Sequence, residues 1–404
     1  MTTGQPPPTH PGRAERVPNA LDAFLSVETA GSLVLFVATA LALLWENSPW
    51  HASYEHLWET RIAHIGVLVD VDVSVHFLVN EVLMTLFFFV VGLEIRREAH
   101  DGALASLKLA ALPVAAAAGG VIAPALIYLA ISRDTSHVGG WAVPTATDIA
   151  FAVGVLALLG RRVPPALRAL LLALAIADDV AAIVIIAVVF AGGVSITGLA
   201  IAVAGLASVL AFRKLGVRAE ILYALPGAVL WVGLLDAGIH PVLAGVLLGL
   251  LTPMEASRAG ELPAAVRIEK LLHPWIAYAV MPLFALANAG IRLAGIDLEE
   301  PALRALVGAV SVALAIGKPL GIVTTAWLAV RLGWCALAPG LRWGGVLVVG
   351  CLGGIGFTMA IFIATLAFPS ADALAAAKLA VLVGSTAAAA VGLLLGARLL
   401  GRPS

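Results

Sequence analysis

Charge is scarce in this chain. Only 12% of its 404 residues are Asp, Glu, Lys or Arg, about half the share of an ordinary soluble domain. With 61% hydrophobic residues and a mean hydropathy of +1.03, that scarcity points to a polytopic membrane protein. Cysteine is almost missing: Cys335 and Cys351 are too few for a disulfide framework and lack zinc-type spacing. A net charge of −1 supplies no bulk field for nucleic acid. Long polar stretches are missing too. The loops near 46–72 and 252–272 are too short to fold alone, so no soluble domain is expected.

What is present is a series of apolar runs. Residues 1–20 are polar and Pro-rich (GQPPPTHPGR) and read as a disordered tail; residues 21–400 read as a single transmembrane domain. A hydrocarbon core about 30 Å thick needs roughly 20 apolar residues per helix. Runs of that kind lie near 26–45, 73–95, 109–131, 140–160, 166–190, 194–212, 219–236, 238–251, 273–291, 302–330, 343–368 and 376–398. That predicts an all-α fold of about twelve transmembrane helices, the eighth short. The run at 31–45 follows Arg13 and Arg16 and holds the small residues ATALA, a signal-peptide pattern. The long tail before it and the spans after it favour a membrane helix.

Basic residues test the count. With the N-terminus inside, the inner segments carry Arg13, Arg16, Arg96, Arg97, Lys108, Arg161, Arg162, Arg168, Arg213, Lys214, Arg218, Arg258, Arg267, Lys270, Arg331, Arg342, Arg398 and Arg402. The outer ones carry Arg61, Arg133, Arg292 and Arg304, and Lys318 and Lys378 fall in or near spans. The positive-inside rule then places both termini in the cytoplasm, with an even number of helices.

Against this background the ionisable residues inside spans stand out. A carboxylate at the bilayer centre costs about 2.5–3.5 kcal/mol on insertion scales. Yet AIADDVAAIVIIAVVF keeps Asp178 and Asp179 side by side. Adjacent residues on a helix point about 100° apart, so both can border one cavity without facing one spot. A hydrogen-bonded structural pair is the plainer alternative. GWAVPTATDIAFAVG adds Asp148, with Pro144, Thr145 and Thr147 around it. Proline removes a backbone donor and disfavours helix in the residue before it. An interrupted span is expected there, and such backbone is tolerated only against protein or water; a simple proline kink is the alternative. In VALAIGKPLGIVTTAW the balancing charge, Lys318, falls near the middle of a run of about 30 residues, where snorkelling to an interface is hard. VVGCLGGIGFTMAIFIA crowds Gly350, Gly353, Gly354 and Gly356 beside Thr358. Close helix packing would explain the glycines, and so would a second interrupted span. Interrupted spans in both halves suggest an inverted-repeat transporter with its site at midplane.

Electrostatics then gives the acids a task. Two carboxylates about 6 Å apart at an effective dielectric near 20 repel by roughly 3 kcal/mol. An empty site therefore holds at least one proton near neutral pH. A small hard cation, Na⁺ or Li⁺, favours both charges and competes with protons for the same oxygens. A site that holds either, opened alternately to each side, is an antiporter.

With these residues in view, the chain resembles the NhaA family of bacterial sodium/proton antiporters, across about residues 20–400. The strings that carry the resemblance are FFFVVGLEIRRE, GALASLK, ATDIAFAVGVLALLG, LALAIADD, GIHPVLAGV, LLHPWIAY, PLFALANAG, GKPLGI and GIGFTMAIFIA. That family is itself a known example of the inverted-repeat fold, so this part of the architecture comes from the resemblance. It implies two discontinuous helices crossing at midplane, around Asp148 with Thr147 and around Gly353, Gly354, Gly356 and Thr358. It implies that Asp178 and Asp179 bind Na⁺ and protons, and that Lys318 compensates helix C-terminal dipoles and pairs with Asp178. It implies electrogenic exchange driven by the proton gradient, without a cofactor. Strong pH regulation is also implied, from Glu94, Arg97, Glu98, Glu269 and His273 at the cytoplasmic mouth and from His240. Lys270 stands where a histidine is expected. The bacterial inner membrane as location, lipid and small cations as partners, and a possible homodimer follow from the same resemblance.

Three rival classes differ in their demands. An intramembrane aspartyl protease wants its acids on separate helices with a GxGD-like string, which is missing. A retinal pump would use Lys318 as Schiff base, which twelve spans and four tyrosines disfavour. A sodium-coupled organic-acid symporter of similar fold would want an arginine inside the spans to bind a carboxylate, and none is there.

Overall fold

A computed structural model describes residues 20–65, 71–102, 104–193, 195–217, 219–255 and 262–401. The tail expected to be disordered lies almost wholly outside the described residues. Among the described residues the fold is all-α apart from two antiparallel strands, β1 (Arg61–Ile65) paired with β2 (Val71–Ser74), with the register shifted between Arg61 and Ala63.

Long apolar helices form the body: α1 (Ala20–Glu46), then α2 (His51–Glu59), too short to span. After the hairpin come α3 (Val75–Asp101) and α4 (Lys108–Ser132). A 3₁₀ segment, Val138–Thr145, and α5 (Ile149–Ala157) make one broken span, bent by 43°. Helices α6 (Pro165–Val189) and α7 (Ile196–Lys214) follow, then the shorter α8 (Ala224–Asp236) and α9 (Val242–Leu251). Next are α10 (residues 264–288) and α11 (Pro301–Arg331). The second broken span, α12 (Trp343–Gly353) with α13 (Phe357–Ala367), is also bent by 43°, and α14 (Ala371–Leu399) closes the fold.

Among the described residues eight helices are long and apolar enough to cross, ten with each bent pair taken as one. The two remaining runs, 219–236 and 238–251, are also helical but shorter: a 3₁₀ turn, Glu220–Tyr223, leads into the 13 residues of α8, and α9 has 10 residues, about 15 Å for the latter. Their breakers explain it: Gly238 at φ +71° ends the turn after α8, and Pro241 caps α9.

Among the described residues three turns are widened to π geometry. Ile276–Val280 precedes Pro282, and Ala313–Gly317 precedes Pro319. A proline lacks its N–H and its ring crowds the preceding turn, so the ladder opens there. The third, Leu78–Leu83 in α3, contains no proline. Small residues then bring α11 against α4: a Cβ added to Gly321 would meet the Gly119 carbonyl, the close approach favoured inside membranes. That approach carries Lys318 into the interior, where its Cε lies near Gly120.

Candidate functional site

The two broken spans meet at residues 146–148 and 353–358. Asp148 caps α5 by accepting the Phe151 N–H at 3.0 Å through Oδ1. Its Oδ2 accepts the Thr358 N–H at 2.9 Å and also the Thr358 hydroxyl. The Asp148 N–H donates to the Ile355 carbonyl at 2.7 Å, and the Thr147 hydroxyl to the Gly353 carbonyl at 2.9 Å. Asp148 therefore faces the N-terminal ends of α5 and α13, where unpaired N–H groups and the helix dipole favour negative charge. Gly356 has no room for a side chain: an added Cβ would lie 3.0 Å from the Ala146 carbonyl oxygen.

The interruptions leave carbonyls at the opposite ends. Lys318 Nζ donates to the Thr145 carbonyl, the last of the 3₁₀ half, and to Asp178 Oδ2 at 2.7 Å. Asp178 Oδ1 is buried without a partner. The adjacent acids part company here, as their helical offset demands. Asp178 turns to Lys318, whereas Asp179, one position on, lines a cavity with Asp148, Thr147, Glu94, Glu28 and His273. Their helical offset allows both to border one cavity; of the two, Asp179 lines this one.

The cluster expected at the mouth splits. Arg97 Nε bridges both Glu269 oxygens at 3.1 and 3.0 Å, and its Nη1 reaches Glu98 at 2.7 Å. Glu94 and His273 are buried nearby and face the cavity. His240 is elsewhere. It lies 3.7 Å from Glu81 and packs on the Phe362 ring, which also contacts Phe88 and Phe284. That aromatic group separates it from the mouth.

Two site residues escape a reading of the sequence. Glu28 on α1 pairs with His273 at 2.8 Å, and Ser385 on α14 accepts the Gly356 and Phe357 N–H groups at 3.2 Å each. Glu28 is an acid at the head of a span, where solvated charge is ordinary. Ser385 is one hydroxyl in an alanine-rich helix. Neither leaves a signal as strong as an acid in mid-span.

The chain matches the model of the family described as Na+/H+ antiporter 1 over residues 22–395. It is 49% identical over 431 residues to a Na(+)/H(+) antiporter NhaA of Cupriavidus necator, covering 96% of this chain and 92% of that protein. It is 51% identical to a Na(+)/H(+) antiporter NhaA 2 of Sorangium cellulosum, covering 95% and 90%. It is 54% identical over 384 residues to a Na(+)/H(+) antiporter NhaA of an Acidovorax species, covering 94% and 92%.

Proposed function

Because the chain belongs to the Na+/H+ antiporter 1 family, and so exchanges sodium for protons as a secondary transporter and not as an enzyme, we propose that the exchange takes place at Asp179 and Asp178. Asp179 supplies the cavity-facing carboxylate, with Thr147 and Asp148 beside it. Asp178 stands behind, held by Lys318. Na⁺ and protons take the same oxygens in turn, so each expels the other. Li⁺, a hard cation of the same charge, competes by the same chemistry.

The division of labour within the acid pair carries this reading. One carboxylate has its charge matched by Lys318, and the other is left to the cavity. The charge of the cavity wall supports a cation over an organic acid. Its lining includes the carboxylates of Glu28, Glu94, Asp148 and Asp179 and no Arg or Lys. An anionic substrate would meet like charges without compensation, which disfavours the symporter reading.

Direction and side belong to the same proposal. The basic ends of α3 (Arg96, Arg97) and α10 (Arg267, Lys270) face the cytoplasm by the positive-inside rule, in a bacterial inner membrane, so the cavity opens inward and Na⁺ leaves the cell. Exchange is electrogenic, with more protons than sodium ions moved per cycle, and is regulated by pH. A homodimer is part of this reading. Everted vesicles loaded with acridine orange test the core of it. Na⁺ or Li⁺ should restore fluorescence with the unmodified chain and not with Asp179→Asn; normal dequenching by that variant would remove the site from Asp179.

A further inference from the structure

Three stretches of the chain carry basic residues and no acid at all: 149–177, 319–371 and 373–404. The fold brings their ends together. A Cβ on Gly344 would lie 3.4 Å from Leu399, one on Gly345 2.9 Å from Leu167, and one on Gly396 would meet Leu159. The start of α6, the start of α12 and the end of α14 therefore share one patch. Arg162, Arg168, Arg342 and Arg398 stand on it, Arg168 partly exposed and the other three exposed.

These arginines differ from others in the chain. Arg61 pairs with Asp72, Arg97 with Glu98 and Glu269, Arg133 with Asp134 and Arg267 with Glu220. Among the described residues, none of the four in the patch has a carboxylate within ion-pair distance. Two have a local explanation. Arg162 donates to the Ala397 carbonyl at 3.4 Å, and Arg398 lies in the last turn of α14, so both suit the negative end of that helix. The other two stand at the wrong ends. Arg342 is the N-cap of α12 and Arg168 lies one turn into α6; neither helix has an acid in its first turn or a side-chain cap. A guanidinium there adds positive charge to the positive end of a helix dipole, and no group of the protein offsets it.

We propose that this patch seats the phosphate of an anionic phospholipid headgroup from the cytoplasmic leaflet, with Arg168 and Arg342 as its principal ligands. A guanidinium offers a planar fork that matches phosphate, and Arg162 uses only one of its five N–H donors on Ala397. The patch faces the cytoplasm by the positive-inside rule. Its apolar border selects a lipid over a free anion: Leu158, Trp343, Leu394 and Leu399 are exposed beside it, where acyl chains and an interfacial indole belong. Bound there, one headgroup ties α6, the helix of the acid pair, to the second broken span and to α14.

The test is a thermal-unfolding titration of the delipidated full-length protein in neutral detergent, with phosphatidylglycerol added as the probe. Phosphatidylglycerol should raise the melting temperature, and phosphatidylcholine or inorganic phosphate at equal concentration should not. In Arg168→Gln/Arg342→Gln the phosphatidylglycerol needed for half of the shift should rise roughly thirtyfold, two headgroup contacts being lost. Arg168→Lys/Arg342→Lys should recover part of the affinity, and Lys270→Gln, which removes an exposed charge from α10 on the same face, should titrate as the unmodified chain does. An unchanged titration in the double Gln variant overturns the proposal, as does an equal shift from phosphatidylcholine. An equal shift from inorganic phosphate makes the patch a free-anion site and also overturns it. If the double variant does not fold, Arg398→Gln replaces it, with a rise of roughly fivefold expected and no rise overturning the assignment.

Discussion

Lys318 Nζ lies 2.7 Å from Asp178 Oδ2 with both side chains 1% exposed, while Asp179, the next residue, faces open space. One ion pair is sealed in the interior, and the neighbouring acid lines the cavity. The two aspartates are chemically equal in sequence and unequal in place.

Removing the lysine should therefore cost stability. Lys318→Ala leaves the Asp178 carboxylate and the Thr145 carbonyl buried without a donor, a loss of roughly 3–5 kcal/mol for an uncompensated buried charge. Thermal unfolding in detergent checks this. An unchanged melting temperature contradicts the sealed pair.

The aspartates should separate in their effects. Asp178→Asn and Asp179→Asn are both expected to abolish sodium-driven proton movement in everted vesicles. Only Asp178→Asn should lower the melting temperature, because it strands the ammonium of Lys318. Normal exchange by either variant, or equal destabilisation by both, counts against the assigned roles.

Calorimetry should show that Na⁺ binding releases protons and weakens as pH falls, since the ligand oxygens must be deprotonated to bind. Repeating the titration in buffers of different ionisation enthalpy gives the proton count. Binding heat independent of the buffer would end the competition model.

The crossing should depend on its hydroxyls. Thr358→Val removes one donor to Asp148, and Ser385→Ala strips the acceptor from the Gly356 and Phe357 N–H groups. Each should cost about 1–3 kcal/mol for a buried polar group left unsatisfied. Thr358→Val should also weaken Na⁺ affinity, because Asp148 then shifts from the ends of α5 and α13. Parallel melting and uptake measurements separate the two effects.

Much of the site was legible because lipid makes charge expensive. Asp148, Asp178, Asp179 and Lys318 each stand in an apolar run where a charge is costly, and Pro144 and the glycines at 353–356 mark the breaks. The family resemblance supplied the crossing itself. What an apolar window does not register is how long the helix within a run is, as the 13 and 10 residues of α8 and α9 within 219–236 and 238–251 show. Nor does adjacency say which aspartate faces the cavity, since that depends on where α4 and α11 pack. Glu28 and Ser385 were hidden because an acid near a membrane surface and a serine among alanines are cheap. His240, named apart from the mouth, lies against Glu81 and the Phe362 ring.

The open ladders at 146–148 and 354–356 have a mechanical consequence. Swinging one half of a broken helix against its other half costs no regular repeat, because the repeat already stops there. Resistance comes from the local contacts that Asp148, Thr358 and Ser385 make, and those can re-form after a small rotation. If exchange takes place at Asp178 and Asp179 as proposed, the hinge sits beside the carboxylates that carry it.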